Sequence, residues 1–465
     1  MTPQQAPRHV AVIDIGKTNA KLALVDLETL EEKAVVTRPN NVLPGPPWPH
    51  FDLDGHWDFL LDALAGFQKA HGIDAISVTT HGASVVLLDR LGNLAAPMLD
   101  YEHIGPDTTA TAYDAIRPGF AETGSPRLGM GLNIGAQLYW MFETDPGLKE
   151  RAATILTYPQ YWGFRLTGAL ATDMSSLGCH TDLWNPHAGQ FSSLVERLGI
   201  AGKIASARPP ADSLGPILPE IAARTGLPPG TPVHAGIHDS NASLLPHILG
   251  RPAPFSVVST GTWVIAMSVG GAPVSLDPAA DTLINVNALG QPVPSARFMG
   301  GREHELAMGG ALVEPAAADI RVVLEGGIML MPALVGNSGP YRGQKAHWLG
   351  GEPAPGSGRR AAAAAFYLAL ETAYCLTLIG HRGPVIVEGP FTRNHAYLDM
   401  LGAATGAAVV ASATVTGTSQ GAALLAAAAG TVPRPPETGT QPALDPAMVA
   451  YAKAWKDRAG QAGAA

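Results

Sequence analysis

Only two cysteines occur in 465 residues, Cys179 and Cys375, far apart and without the short spacing of metal ligands. Their scarcity excludes a disulfide framework and fits a reducing compartment, so a cytoplasmic protein is expected. Charge is scarce as well: 15% of residues are charged, against roughly 25% in ordinary soluble proteins. Basic residues are the minority, 30 against 39 acidic for a formal charge of −9, which leaves no electrostatic footprint for DNA or RNA. The opening MTPQQAPRH lacks the charged start and apolar stretch of a secretory signal. Long apolar runs are few. Ala361 to Gly380 carries Glu371 at its middle, and Ala422 to Ala429 is shorter than the ~20 residues a bilayer core needs. Both read as core helices, and no membrane partner is expected.

What the chain does have is length and apolar character, with 46% hydrophobic residues, enough to bury sizeable cores in two or three domains. His9 to Ile15 is an apolar, β-branched run, Gly16 to Asn19 supply turn chemistry, and Leu22 to Val25 resume the apolar character. Phe255 to Val258, Ser259 to Thr262 and Trp263 to Val269 repeat that scheme. The chain therefore begins twice, which implies two related domains. The Pro-rich stretch Pro246 to Pro254 lies just ahead of the second opening, placing the boundary at residues 1–248 and 249–465. Between the openings come a strand and hairpin at Ile76 to Asp89, helical segments at Leu138 to Phe142 and Pro159 to Leu166, and a strand near Val233 to Gly236. Strands alternating with helices give the α/β class. After Thr431 a Pro-rich connector and a short terminal helix are expected.

Gly16-Lys17-Thr18 is not the GxxxxGK[ST] phosphate loop, because Ala11 stands where the first glycine belongs and a strand, not a helix, follows. A glycine turn between strands still serves either as an ordinary hairpin or as a phosphate cradle of backbone N–H groups, aided by Thr18, Lys17 or Lys21. Asp14 is either a turn cap or a carboxylate for Mg²⁺ beside polyphosphate. A second glycine and threonine turn at Gly261 and Thr262 favours the phosphate reading, since two such turns can grip one polyphosphate. In HAGIHDSNAS, a strand ends near Gly236 and a helix follows at Ala242 to Leu245, so Asp239 is either an N-cap or a base that accepts an alcohol's proton. His81 and Gly82 follow the strand Ile76 to Thr80, at the kind of strand end where ligands meet open α/β sheets, although a structural histidine is the alternative. Tyr101 either stacks on a polyol or is half-buried core. Arg302, Glu303, His304 and Glu305 do not make a zinc-binding HExxH, because Met308 occupies the second histidine's place.

These motifs, in this order, resemble the FGGY carbohydrate kinases, ATP-dependent sugar kinases of the actin-like (ribonuclease H-like) fold, over nearly the whole chain. DIGKTNAKLALVD looks like the family's first phosphate motif and STGTW like its second. VEGPFTRN and the later GTSQGAALLA resemble its adenosine motif, and YPQYWGFRLTGALATDMSS its linking segment. HDSNAS with STGTW is most similar to the rhamnulokinase and fuculokinase branch, while THG resembles the MHG of xylulokinases. The resemblance implies two domains with a cleft between them, the first binding sugar and the second nucleotide. It makes Asp239 the general base and, with Asp14, a Mg²⁺-site residue. Lys17, Thr18, Asn19, Lys21, Gly261 and Thr262 would then contact phosphates, Gly389 and Asn394 the adenosine, and His81, Gly82, Tyr101 and His238 the sugar. Lys17 stands where the family more often has threonine or serine, Pro390 and Phe391 replace glycines of the adenosine motif, and Gln137 replaces a lysine. The expected activity is phosphorylation of a hydroxyl of a small ketose such as L-rhamnulose, L-fuculose or xylulose, using ATP and Mg²⁺, in a chain that forms a homodimer as is common in the family. The alternative is an actin-like nucleotide-binding sugar sensor without transfer activity, which would not need Asp239.

Overall fold

In a computed structural model, which describes residues 7–412, 417–427, 430–433, 437–440 and 445–461, the chain divides into two compact units. The first comprises residues 1–250, 284–292 and 416–434, and the second residues 251–283, 293–415 and 435–465. Strands are numbered below within the main sheet of each unit.

In the first unit, β1 (His9–Ile15), β2 (Asn19–Asp26) and β3 (Glu31–Pro39) form an antiparallel meander. On the other side of β1, β4 (Ala75–Thr80) runs parallel to it. Beyond β4 come β6 (Pro232–His234), parallel to β4, and β5 (Ser213–Pro216), antiparallel to β6, while β7 (Ile237–His238) also pairs in parallel with β4. The second unit repeats this plan. β8 (Phe255–Thr260), β9 (Val264–Val269), β10 (Thr282–Val286, whose residues 284–286 fall in the first unit) and β11 (Pro292–Phe298) supply its meander side, and β12 (Val385–Glu388), β13 (Val409–Ser412) and β14 (Glu437–Thr440) its other side. The order is β10-β11-β9-β8-β12-β13-β14, with β8, β12 and β13 parallel. The doubled opening seen in the sequence is thus a doubled sheet.

Side-chain alternation along β1 sends residues to two different layers. Ala11, Ile13 and Ile15 join a core with Leu60, Leu64 and Trp162, supplied by helices Leu53–His71 and Tyr158–Thr167. Val10 and Val12 face the other way, onto Ala242 and Leu245 of helix Asp239–Gly250 and Ala422 and Ala423 of helix Gly417–Leu424. Asp14, two residues past Val12, falls on that second face. In the second unit, helix Gly358–Leu378 lies in the core with its alanines, Phe366 and Leu376 buried. It is long and apolar enough to cross a membrane by composition, but most of it is buried in the protein.

Two expectations change. Pro246 is not part of a linker, because helix Asp239–Gly250 runs through it. The sequence suggested a break there because proline cannot donate to the carbonyl one turn back, here that of Ala242. In the fold, Gly421 of the neighbouring helix approaches that carbonyl so closely that a Cβ would overlap it. The run Ala422 to Ala429 is also shorter as a helix than expected: helix Gly417–Leu424 ends within it, and residues 428–429 lie outside the described residues. The terminal helix is Pro446–Gln461. We expect Gly421→Ala to destabilise the protein by about 1–3 kcal/mol, the usual cost of overpacking, measured by urea unfolding; unchanged stability would contradict this close approach.

Candidate active site

Three parallel strands of the first unit end at one edge of its sheet. Ile15 of β1 lies opposite Thr80 of β4, and His238 of β7 lies opposite the same Thr80. The next residues along, His81 and Asp239, are therefore delivered side by side, with Asp14 one residue back on β1. The carboxyl ends of parallel strands are where open α/β sheets bind ligands. The hairpin register adds a cation: Asp14 pairs with Lys21 across β1 and β2, so both side chains share a face, and their charged atoms meet at 3.0 Å. Lys21 also reaches Glu32 at 3.2 Å, and the Ser419 hydroxyl donates to Asp14 at 3.2 Å. Burial pushes the Asp14 carboxyl above its ordinary value; Lys21 opposes this and the charge of Asp239 adds to it.

Asp239 opens helix Asp239–Gly250, and its Oδ1 accepts from the Ser240 N–H at 2.6 Å. About a third of its side chain, 34%, stays exposed, whereas its neighbour His238 is buried. The Asn241 amide donates to Nδ1 of His238 at 3.3 Å, which places the imidazole proton on Nε2, 3.1 Å from Asp239 Oδ1. Burial holds His238 down at about 4, so its imidazole is neutral. Burial raises Asp239, while His81 and Ser240 pull it back. The ATDMSS segment supports this arrangement from below: Asp173 caps helix Met174–Leu177 through Ser175 N–H at 2.8 Å, and the Ser175 hydroxyl accepts the His238 N–H at 3.1 Å.

His81 is neutral for the same reason, held at about 4 chiefly by burial. Its Nδ1 faces the Gly82 carbonyl at 2.9 Å, and a carbonyl only accepts, so Nδ1 carries the proton. The lone pair on Nε2 is buried and has no partner among the described residues. Gly82 is required here: a Cβ would stand 2.8 Å from Nε2 of His238. Phe51 and Tyr101 flank the imidazole with ring centroids 5.2 Å away, and Tyr158 at 5.1 Å. Gln137, at the position of the family's lysine, donates to the Ala83 carbonyl at 2.6 Å and so holds the loop after His81.

The β1–β2 turn closes through Gly16 N–H to Asn19 O at 2.9 Å, leaving Thr18 and Asn19 exposed. Asn40 braces it by donating from its side chain to Gly16 O at 2.8 Å and from its backbone to Thr18 O at 2.9 Å. His56 Nε2 in turn donates to Asn40 Oδ1 at 2.7 Å. Lys17, expected on the phosphate side, leaves the turn in a different direction. Its ammonium pairs with Asp100 and with Glu102 at 3.2 Å, over the rings of Tyr101 at 4.5 Å and Phe51 at 5.1 Å.

In the second unit, the turn at Gly261 and Thr262 lies beside Gly389. Thr260 joins them, its hydroxyl donating to Glu388 O and accepting the Phe391 N–H at 3.1 Å. Gly389 has φ +83, and a Cβ there would overlap the Thr260 carbonyl. Phe391, where the family has glycine, turns its ring inward against Tyr397 at 5.2 Å and His304 at 6.1 Å. Asn394 caps helix His395–Thr405 by accepting the Tyr397 N–H at 3.0 Å. Glu303, from the rejected HExxH pattern, accepts from Tyr367 OH at 2.6 Å and Val335 N–H at 3.0 Å in the core. Sequence reasoning missed Asn40, Phe51, Asp100, Glu102, Ser175 and Ser419; only ATDMSS gave a local signal, through its capping pattern.

Comparison with known proteins finds carbohydrate kinases similar in sequence and in fold. The N-terminal domain model of the FGGY family of carbohydrate kinases matches residues 9–246, and the C-terminal domain model of carbohydrate kinase FGGY matches residues 252–435. The structure is similar to that of a carbohydrate kinase from Novosphingobium aromaticivorans, at 37% identity and a TM-score of 0.89, covering 97% of this chain and 100% of that one. A xylulose kinase from Rhodospirillum rubrum shares the fold at 23% identity and a TM-score of 0.81, with 98% and 99% covered. L-fuculokinase from Salmonella typhi is 27% identical over 268 residues, 56% of each chain, so the match spans about half the length of that curated relative.

The brace at Asn40 gives a pH test. His56 sits at about 4 in the fold, chiefly through burial, against 6.5 ordinarily. The stability it contributes is complete above pH 6.5 and is lost as pH falls toward 4, because the unfolded imidazole takes up a proton that the folded one refuses. The stability advantage of the wild type over His56→Gln is expected to shrink across that window in denaturant titrations; a constant difference would contradict a neutral His56.

Proposed function

The chain belongs to the FGGY family of carbohydrate kinases, and we propose that it transfers the γ-phosphoryl group of ATP to a hydroxyl of a small ketose, with Asp239 as general base. L-Rhamnulose, L-fuculose and xylulose are the candidate substrates. The observation that carries the reading is the delivery of Asp239 beside His81 and near Asp14 by strand register. A carboxylate raised by burial, beside a neutral His238 and still a third exposed, can take an alcohol's proton. The unpaired Nε2 of His81 accepts a second sugar hydroxyl and orients the ring, and Tyr101 offers a face for its apolar side.

Residues 1–248 supply the sugar-binding and catalytic part in this reading, and residues 249–465 the nucleotide-binding part. In this reading Lys21 and the exposed turn at Thr18 and Asn19 are phosphate contacts, as are Gly261 and Thr262, and Gly389 and Asn394 are adenosine contacts. Asp14 and Asp239 are the carboxylates that would hold Mg²⁺: the charge of Asp239 raises Asp14, a strain that a divalent cation would relieve. When bound, Mg²⁺ neutralises charge on the phosphate oxygens; one or two carboxylates with substrate phosphates suffice to hold it. Lys21 stabilises the same developing charge, so the protein's task is positioning and electrostatics.

Asp239→Asn is expected to keep ATP binding and to lower sugar-dependent ADP release by at least ~10², the lower range for a general base. Near-normal turnover would remove Asp239 from that role. In the wild type, kcat/KM is expected to fall as pH drops through the raised carboxyl value of Asp239, because only the ionised base accepts a proton. A coupled assay across ketoses, aldoses and polyols reads both effects.

A further inference from the structure

Lys17 belongs by sequence to the phosphate turn, yet its ammonium lies among groups on the sugar side. From the turn it extends to Asp100 and Glu102 and stands 4.5 Å from the Tyr101 ring centroid and 5.1 Å from that of Phe51. Both rings flank His81, the Gly82 that follows His81 packs on His238, and Nε2 of His238 stands 3.1 Å from Asp239 Oδ1. A continuous set of contacts thus leads from Lys17 to the proposed base. The side chains of Lys17 and Asp100 are 25% and 11% exposed, enough to reach a ligand while partly desolvated.

We propose that Lys17, Asp100 and Glu102 form a specificity rim that reads sugar hydroxyls and selects an uncharged polyol over a sugar acid. The inference rests on the sugar-kinase reading and deepens it by naming the substrate class. The ammonium has three donors, two of them engaged by carboxylates, and the carboxylates have acceptor sites to spare. Alternating donors and acceptors suit vicinal hydroxyls. One cation between two anions leaves the rim net negative. A substrate carboxylate approaching Lys17 also meets the charges of Asp100 and Glu102, so like-charge juxtaposition works against it. The bland reading of the same contacts is a staple that ties the β1–β2 turn to the Asp100 loop. A staple alters stability and turn position without discriminating between ligands of different charge.

The test is calorimetric binding to the full chain of L-fuculose, L-rhamnulose and xylulose, of D-gluconate as the sugar acid, and of ATP, in the wild type, Lys17→Met and Glu102→Gln. The wild type is expected to bind its preferred ketose at least about tenfold more tightly than gluconate, and Lys17→Met to weaken ketose binding about tenfold with ATP binding unchanged, the scale of one charge-assisted hydrogen bond. Glu102→Gln, at a half-exposed position that tolerates substitution, is expected to narrow the ketose-to-gluconate ratio. The proposal is overturned if Lys17→Met weakens ATP instead of ketose, if both variants keep the wild-type ratio, if gluconate is the better ligand, or if no ketose binds. Selective ketose binding without any sugar phosphate formed would support the rim and overturn the kinase reading, so the two failures are distinguishable.

Discussion

The parallel register of β1, β4 and β7 is the constraint on which the candidate site depends. Thr80 has Ile15 opposite it on one side and His238 on the other, so the residues just beyond are fixed in relation to one another by backbone hydrogen bonds before any side chain takes part. A slip of one residue would turn Asp14 from the layer it shares with Val10 and Val12 into the apolar layer of Ile13 and Ile15. It would also remove the Asp14–Lys21 pair, which exists because those residues oppose each other across the hairpin. Side chains then refine what the strands place: Asn40 fixes the turn, Ser175 supports the backbone of His238, and Ser419 meets Asp14.

The electrostatics follow from that placement. Burial keeps His81 and His238 neutral, each near 4. The tautomers are set by their partners. Gly82 O holds the proton on Nδ1 of His81, while Asn241 makes Nδ1 of His238 an acceptor and leaves its proton on Nε2, 3.1 Å from Asp239 Oδ1. Two adjacent imidazoles therefore carry their protons on different nitrogens.

Much of this was legible in the sequence wherever the signal is local. The strand His9–Ile15 was read with its observed bounds, the second opening at Phe255 proved to start a second sheet of the same plan, and the family follows from motifs in order. What was not legible depends on distant partners. Nothing near Lys17 shows that Asp100, 83 residues away, will claim its ammonium. GTSQGAALLA looked like part of the adenosine motif, yet its helix belongs to the first unit and brings Ser419 to Asp14 across 405 residues of sequence. Pro246 looked like a boundary because proline's local preference is to end helices; packing against Gly421 accommodates it instead. Phe391, read as a departure at the nucleotide, turns its ring into the core and leaves only its backbone at the glycine's place.

The central claim is that Asp239 receives the proton of the acceptor hydroxyl. It is tested most directly by an experimental structure of the chain with a ketose and a non-hydrolysable ATP analogue bound. The account predicts the reacting hydroxyl oxygen within about 2.6–3.2 Å of an Asp239 carboxylate oxygen, the reach of a general base, with another hydroxyl on Nε2 of His81. A sugar bound with its phosphorylated oxygen on a different residue, and Asp239 facing away from it, would contradict the account.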